Sequence, residues 1–394
     1  MRLDMLRSLL LLAWLPGLAL AEARSEPQPE SQAESSGWFD RVSNRMNQLL
    51  EDLGADGDFD PDKGIDWSVL PGPFYTPEME FGIGVSAVGL YMPDQQDSVS
   101  QVSSFTINGF ASVNGALGAE IISQTFLNED SLRLFANLEM VDAPEVFYGA
   151  GLSNGRDDGN KIDFDRRGLR FKPQVLKQVW PATFVGVGLD FGRNEARSLS
   201  SEPVPLSRGA EFPDTSTTGA VTLHLVHDSR DFILNASEGR LLQADVAFYE
   251  GALGSDTEFQ KINLEYSDYQ RMGPGILAWQ WLAELNHGEV PWDQLAMLGG
   301  GKRLRGYEAG RYRDRQMTLA QVEYRHHLRG RHGMVYWGGA GTLSDSVSEL
   351  GQGKWLHTVG TGYRFEVKRN VNLRLDMAFG NGESGFYFAV NEVF

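Results

Sequence analysis

Residues 131–142 read "SLRLFANLEMVD". Leu132, Leu134, Ala136, Leu138 and Met140 share one parity, while Arg133, Asn137 and Glu139 share the other. Side chains alternate across a strand, so this segment makes a strand with one apolar and one polar face. In "VNLRLDMAFG" (371–380), Val371, Leu373, Leu375, Met377 and Phe379 oppose Asn372, Arg374 and Asp376. In "RLLQADVAFYE" (240–250), Leu242, Ala244, Val246 and Phe248 oppose Gln243 and Asp245. A half-buried soluble sheet shows the same alternation. A membrane barrel asks for more: segments of about 10 residues, alternating short and long connections, and a polar lumen.

The connections satisfy these demands. Short ones read near 113–115, 180–182, 272–275 and 329–333. Longer ones lie at 92–98, 155–161, 193–218, 251–256, 288–314 and 343–354. Strands are expected near 81–91, 101–112, 115–127, 131–142, 145–153, 161–176, 181–192 and 218–230, and then near 239–250, 257–270, 275–287, 315–328, 332–343, 355–367, 370–380 and 384–394. That makes sixteen, an even number, as bacterial barrels require. Parity calls for the strand at 145–153, because without it the long 288–314 loop would emerge among the short turns. Pro173 implies a bulge or edge-like distortion in the sixth strand. The expected fold is all-β: a sixteen-stranded antiparallel transmembrane β-barrel over 69–394, with a short N-terminal amphipathic helix.

Composition narrows the function classes. The chain has 394 residues, 45 glycines, no cysteine and a formal charge of -18. Disulfides, thiolate metal sites and cysteine nucleophiles are excluded. The acidic balance argues against a nucleic-acid partner. Residues 1–21 read as a signal peptide, with Arg2 and Arg7 before an apolar run and Ala19-Leu20-Ala21 as the cleavage site. Residues 22–36 read as a disordered acidic linker. In 37–68, Trp38, Phe39, Val42, Met46, Leu49, Leu50 and Leu53 recur at helical spacing, followed by an acidic turn. "DGDFDPDKG" (56–64) imitates a calcium loop, but Pro61 and Trp67 stand where that loop needs Gly and Glu. A solvated turn is expected there, and no metal or cofactor.

One stretch departs from the strand pattern. "GGGKRLRGYEAGRYRD" (299–314) holds five glycines and five cations with almost nothing apolar, so it is not expected to build a core. Together with the following "LAQVEYRHHL", it resembles the sixth surface loop of the bacterial surface antigen family. That family comprises the BamA and TamA outer-membrane assembly-factor barrels and the two-partner secretion transporters. Its hallmark tip corresponds to Arg305, Gly306 and Tyr307. A second match is "HDSRD…SEG", with Asp228, Arg230 and Gly239 at the eighth strand and its turn. A third is "NLRLDMAFG" before a last strand ending at Phe394, read as the C-terminal assembly signal.

The resemblance implies that the loop folds back into the lumen and that Arg305 pairs with inward carboxylates. Glu323 matches the family's glutamate partner. The family's usual aspartate falls near Gly339, and Asp376 is the candidate substitute. The resemblance also brings periplasmic domains before the barrel, whereas 22–68 is expected to hold none. A patatin-like lipase, fused to such barrels elsewhere, has no room here.

No catalytic residues are expected. "GVSAVG" (84–89) has the wrong spacing for a nucleophile elbow and lies in a strand. The histidines at 224, 227, 326, 327 and 332 show no metal or triad spacing. The expected role is assistance to the insertion or translocation of proteins or lipids through a seam between the first and last strands, weakened by Gly82, Gly84 and Gly89. The alternatives are a passive barrel, a diffusion channel or an outer-membrane hydrolase. Expected partners are outer-membrane lipid, a protein or lipid client, and the barrel-assembly machinery for the protein's own insertion.

Overall fold

The computed structural model describes Gly54 and residues 59–76, 79–200 and 214–394. The signal peptide expected at 1–21, the linker expected at 22–36 and the helix expected before residue 54 lie outside the described residues. Among the described residues, sixteen antiparallel strands form a barrel. Eleven precede the long loop: β1 (Ile65–Thr76), β2 (Glu80–Tyr91), β3 (Ser103–Ser112), β4 (Leu117–Leu127), β5 (Leu132–Phe147), β6 (Ile162–Trp180), β7 (Thr183–Arg197), β8 (Thr215–Asp228), β9 (Gly239–Tyr249), β10 (Phe259–Met272) and β11 (Gly275–Gly288). The loop carries a small hairpin, β12 (Ala296–Leu298) with β13 (Tyr312–Asp314). Five barrel strands follow: β14 (Gln316–Arg329), β15 (His332–Ser344), β16 (Leu356–Lys368), β17 (Val371–Phe379) and β18 (Ser384–Val390).

The expected count of sixteen is met, but by a different set. No separate strand occupies 145–153. Residues up to Phe147 continue β5, which pairs with β6 throughout. Pro144 is tolerated because β4 pairs only as far as Asp142, so β5 has one neighbour there. The additional strand is β1, "IDWSVLPGPFYT", which begins ahead of residue 69. The two differences swap the ends of the first connections. The 113–116 turn joins 289–315 at one end, and 92–102 joins the short turns at the other. These are called the loop end and the turn end below. At Pro173 the β6–β7 ladder is interrupted, yet Phe171↔Phe191 and Gln174↔Gly188 keep one register. The proline removes pairing without making a bulge.

Alternation sorts the two faces as expected. Ile83, Val185, Leu223, Trp279, Val322 and Val359 are exposed on the outside. Gln321, Glu323 and Arg325 point inward from β14 and are buried. At the turn end, Asp228 accepts from Arg133 Nη1 at 2.8 Å and from Arg230 Nε at 2.8 Å. The Arg133 guanidinium stacks 3.9 Å from the Phe184 ring centroid. These contacts anchor the 229–238 turn, whose last bend places Gly239 at φ +94°.

The seam differs from every other strand pair. β1 and β2 stay in register from Ile65↔Tyr91 to Thr76↔Glu80. β1 and β18 share a single pair, Tyr75↔Phe386. Elsewhere the two edges overlap. Leu70, on the inward face of β1, packs on Phe365 and Val367 and against Leu373, Phe388 and Val390, whose outward parity belongs to β16–β18. The Phe388 ring rests on Gly72, where a Cβ would stand 2.1 Å from a ring carbon, and touches Gly84. The β2 glycines thus make room for rings, and β2 itself is fully paired on both sides.

Candidate functional site

The long loop turns back into the lumen. Contrary to the expectation from its composition, it takes part in an apolar core. Leu298, Leu304, Tyr307 and Tyr312 pack with Met317 and Leu319 of β14, Leu343 of β15 and Leu356 of β16. The barrel wall supplies the apolar surface that the loop alone lacks.

Arg305 is fully buried at the tip. Its Nη1 donates to Asp376 Oδ2 at 2.5 Å, and its Nη2 donates to Glu323. Its Cζ lies 3.8 Å from the centroid of the Trp337 ring. The guanidinium fork suits two separate carboxylates, and its flat face suits an indole. The Thr358 hydroxyl donates to the Arg305 carbonyl oxygen. Gly306 sits at φ +105°, and its N–H donates to the Tyr387 hydroxyl at 3.1 Å. A Cβ at Gly306 would stand 2.9 Å from the Gly380 nitrogen, so only glycine brings the tip this close to β17. The Tyr307 hydroxyl donates to the His357 carbonyl at 2.7 Å.

The clamp extends beyond the predicted residues. Asp376 also accepts from Arg364 Nη1 at 2.6 Å and Arg374 Nη1 at 3.2 Å. Glu323 accepts from Arg325 Nε at 3.2 Å, and Glu392 from Arg364 Nε at 2.8 Å. Arg325 Nη2 donates to the Phe394 backbone oxygen at 2.6 Å. Gly339, at the aspartate position of the family, lies under Leu304. Trp337, two residues away on the same face, supplies the stacking ring instead. Trp337 and Arg364 were missed by sequence reasoning. Their signal was an aromatic and a cation at inward parity on strands flanking Glu323 and Asp376. The last strand does not run to Phe394 as expected. β18 ends at Val390, Asn391 turns at φ 68°, and Phe394 packs near Tyr269 and Arg325.

Two carboxylates of the loop region respond to burial. Asp314 on β13 is pushed up to about 6, chiefly by desolvation, with Asp345 adding repulsion. Glu383, which accepts from the Glu308 N–H at 2.7 Å, is raised by burial as well. The docked loop therefore retains protons that a released loop would give up. Docking gains this contribution in acid and loses it as pH rises through about 6. Hydrogen exchange of 299–313, corrected for intrinsic rates, should be slower at pH 5 than at pH 7.5. Asp314→Asn should remove most of that difference.

The fold and site thus define a sixteen-stranded barrel with its longest loop clamped in the lumen and one barely paired seam. The Omp85 superfamily domain matches residues 85–394, and the chain belongs to that superfamily. BamA from Haemophilus ducreyi lacking POTRA domains 1-3 is similar in fold, with a TM-score of 0.53 and 11% identity, over 82% of this chain and 70% of that one. CdiB from Acinetobacter baumannii matches with a TM-score of 0.50 and 10% identity, over 82% of this chain and 59% of that one. CdiB from Escherichia coli matches with a TM-score of 0.52 and 9% identity, over 83% and 61%. The chain thus spans about three fifths of either CdiB. No curated protein sequence matches it.

Proposed function

We propose that this protein assists insertion or translocation of proteins or lipids at the outer membrane, using the β1–β18 seam as its working edge. The single Tyr75↔Phe386 pair carries the reading. An unpaired edge templates another strand or parts to admit a lipid, whereas a closed barrel has no edge to offer. The edge is written into β1. Pro71 and Pro73 lack N–H groups, yet β1 stays in register with β2 through both. Their missing donors therefore fall on the seam side. The docked loop disfavours a diffusion channel, because it occupies the lumen. Arg305, Glu323 and Asp376 hold that loop, while Asp228, Arg230 and Gly239 hold the turn end.

The test locks the seam. The chain has no native cysteine, so Tyr75→Cys with Phe386→Cys introduces one defined disulfide between register partners. Oxidised protein should fail to restore the envelope of a strain lacking the gene, and reduction should recover it. Full restoration by the locked protein would leave a passive barrel as the better reading.

A further inference from the structure

The docked loop does not fill the lumen. A cavity of about 1000 Å³ remains between it and the wall, lined along β1–β6 and also by side chains of β8–β11, β17 and β18. Gly299–Arg303 of the loop bound it on one side. Ile233, Leu234 and the segment Asn391–Phe394 bound it towards the turn end. Much of its wall is apolar: Phe74, Phe110, Ile122, Phe135, Leu176 and Phe388 all line it. A barrel lumen is ordinarily polar. Twelve charged side chains line it too, but nine of them are held in ion pairs, so apolar surface and a few uncompensated charges are what a ligand would meet.

Three charges lining the cavity have no ion pair among the described residues: Glu120, Glu265 and Lys302. Glu265, on β10 and away from the β3–β5 wall, accepts from Ser267 Oγ at 3.0 Å and Gln280 Nε2 at 2.7 Å. Glu120 on β4 accepts from Asn108 Nδ2 at 3.2 Å and Asn137 Nδ2 at 2.9 Å, and no cation pairs with it among the described residues. Its register partner Glu139 is served by Arg166 at 3.1 Å. Glu120 therefore stands beside a second carboxylate with only amides to satisfy it. On the loop side, Lys302 lines the cavity with an exposed side chain and no ion pair among the described residues. The β3–β5 wall thus offers an uncompensated anion on the same inward face as Phe110, Ile122 and Phe135. Phe388 belongs both to this surface and to the overlap at the seam, so the apolar lining continues to the membrane edge.

We propose that the cavity binds one zwitterionic phospholipid, with its ammonium on Glu120 and an acyl chain along Phe110, Ile122 and Phe135. An extended peptide fits less well. Its backbone would need partners throughout, while the strands of this wall are already paired on both sides. The inference rests on the barrel sitting in a bilayer but not on the seam's role towards clients, so the two stand or fall separately.

The test uses the full chain in vesicles containing phosphatidylethanolamine with a photoreactive group on one acyl chain. Crosslinks are mapped by peptide mass spectrometry. Labelling is expected at inward Ile122 and Phe135 as well as at outward Ile121 and Leu134. Labelling confined to the outward residues would overturn the site. Losing one charge-assisted contact weakens binding about tenfold. Glu120→Gln should therefore reduce inward labelling about tenfold and leave outward labelling unchanged, which also shows the variant is folded. A phosphatidylglycerol probe with the same chain should lose a similar factor in the unaltered protein. Equal inward labelling by both probes, or by Glu120→Gln, would overturn the assignment of the ammonium to Glu120.

Discussion

Arg305→Ala should free the loop without unfolding the barrel. The substitution leaves Glu323 and Asp376 buried, with only Arg325, Arg364 and Arg374 to compensate them. Breaking a buried pair from one side costs roughly 3–5 kcal/mol, whereas an exposed pair gives at most about 1. The strand ladders do not depend on Arg305, so the cost should fall on loop docking. Protease should cut within 299–313, and the heat-modifiable gel shift should move to lower temperature. Arg305→Lys should recover only part of this. An ammonium cannot bridge two carboxylates as a fork and stacks less well on Trp337. Glu323→Gln should act in the same direction, and the double variant should cost less than the sum of the two. Strict additivity, or a loop already cut in the unaltered protein, would show that the clamp does not hold the loop.

Pro71→Val with Pro73→Val should zip the seam. Both positions face outward, where valine suits lipid, and both variants restore an N–H. Each recovered hydrogen bond contributes about 0.5–1.5 kcal/mol. Loss of proline's restraint on the unfolded chain offsets about 0.4–1 kcal/mol of this per site. The gain in stability is therefore small, while the effect on activity should be large, because the edge itself disappears. Amide exchange in 69–76 and in β18 should slow, and restoration of the envelope should be lost. Unchanged exchange would mean that the overlap on Phe388, rather than the missing donors, keeps the strands apart.

These two sites show what was legible in the sequence and what was not. Strict alternation placed the strands around Glu323 and Asp376 with the correct parity, so the two carboxylates could be assigned to the lumen before any coordinates. β1 escaped because its middle reads Leu-Pro-Gly-Pro, which local rules assign to a turn. Only a strand with a free edge accepts that sequence, and a free edge is a property of how the whole sheet is joined, not of the segment. The strand expected at 145–153 followed from the same omission: with β1 unseen, parity demanded another strand before the long loop, and it was placed where β5 in fact continues to Phe147. Trp337 could be placed facing inward but not stacked on Arg305, because the course of the returning loop depends on contacts with five strands at once. The loop's apolar core was hidden for a similar reason, since half of it belongs to the wall.

The overlap of β1 on β16–β18 also bears on size. In a barrel closed by hydrogen bonds, strand number and stagger fix the diameter. Here the join is made by side chains lying on side chains, with a ring seated on a glycine instead of a ladder of amides. Apolar contact of this kind is non-directional and sets no register by itself. The girth of this barrel is then set by two fixed points at opposite ends of the seam, the buried Lys368–Asp66 ion pair at 2.6 Å and the Tyr75↔Phe386 pair, so the sheet is buttoned at its ends rather than zipped along its length.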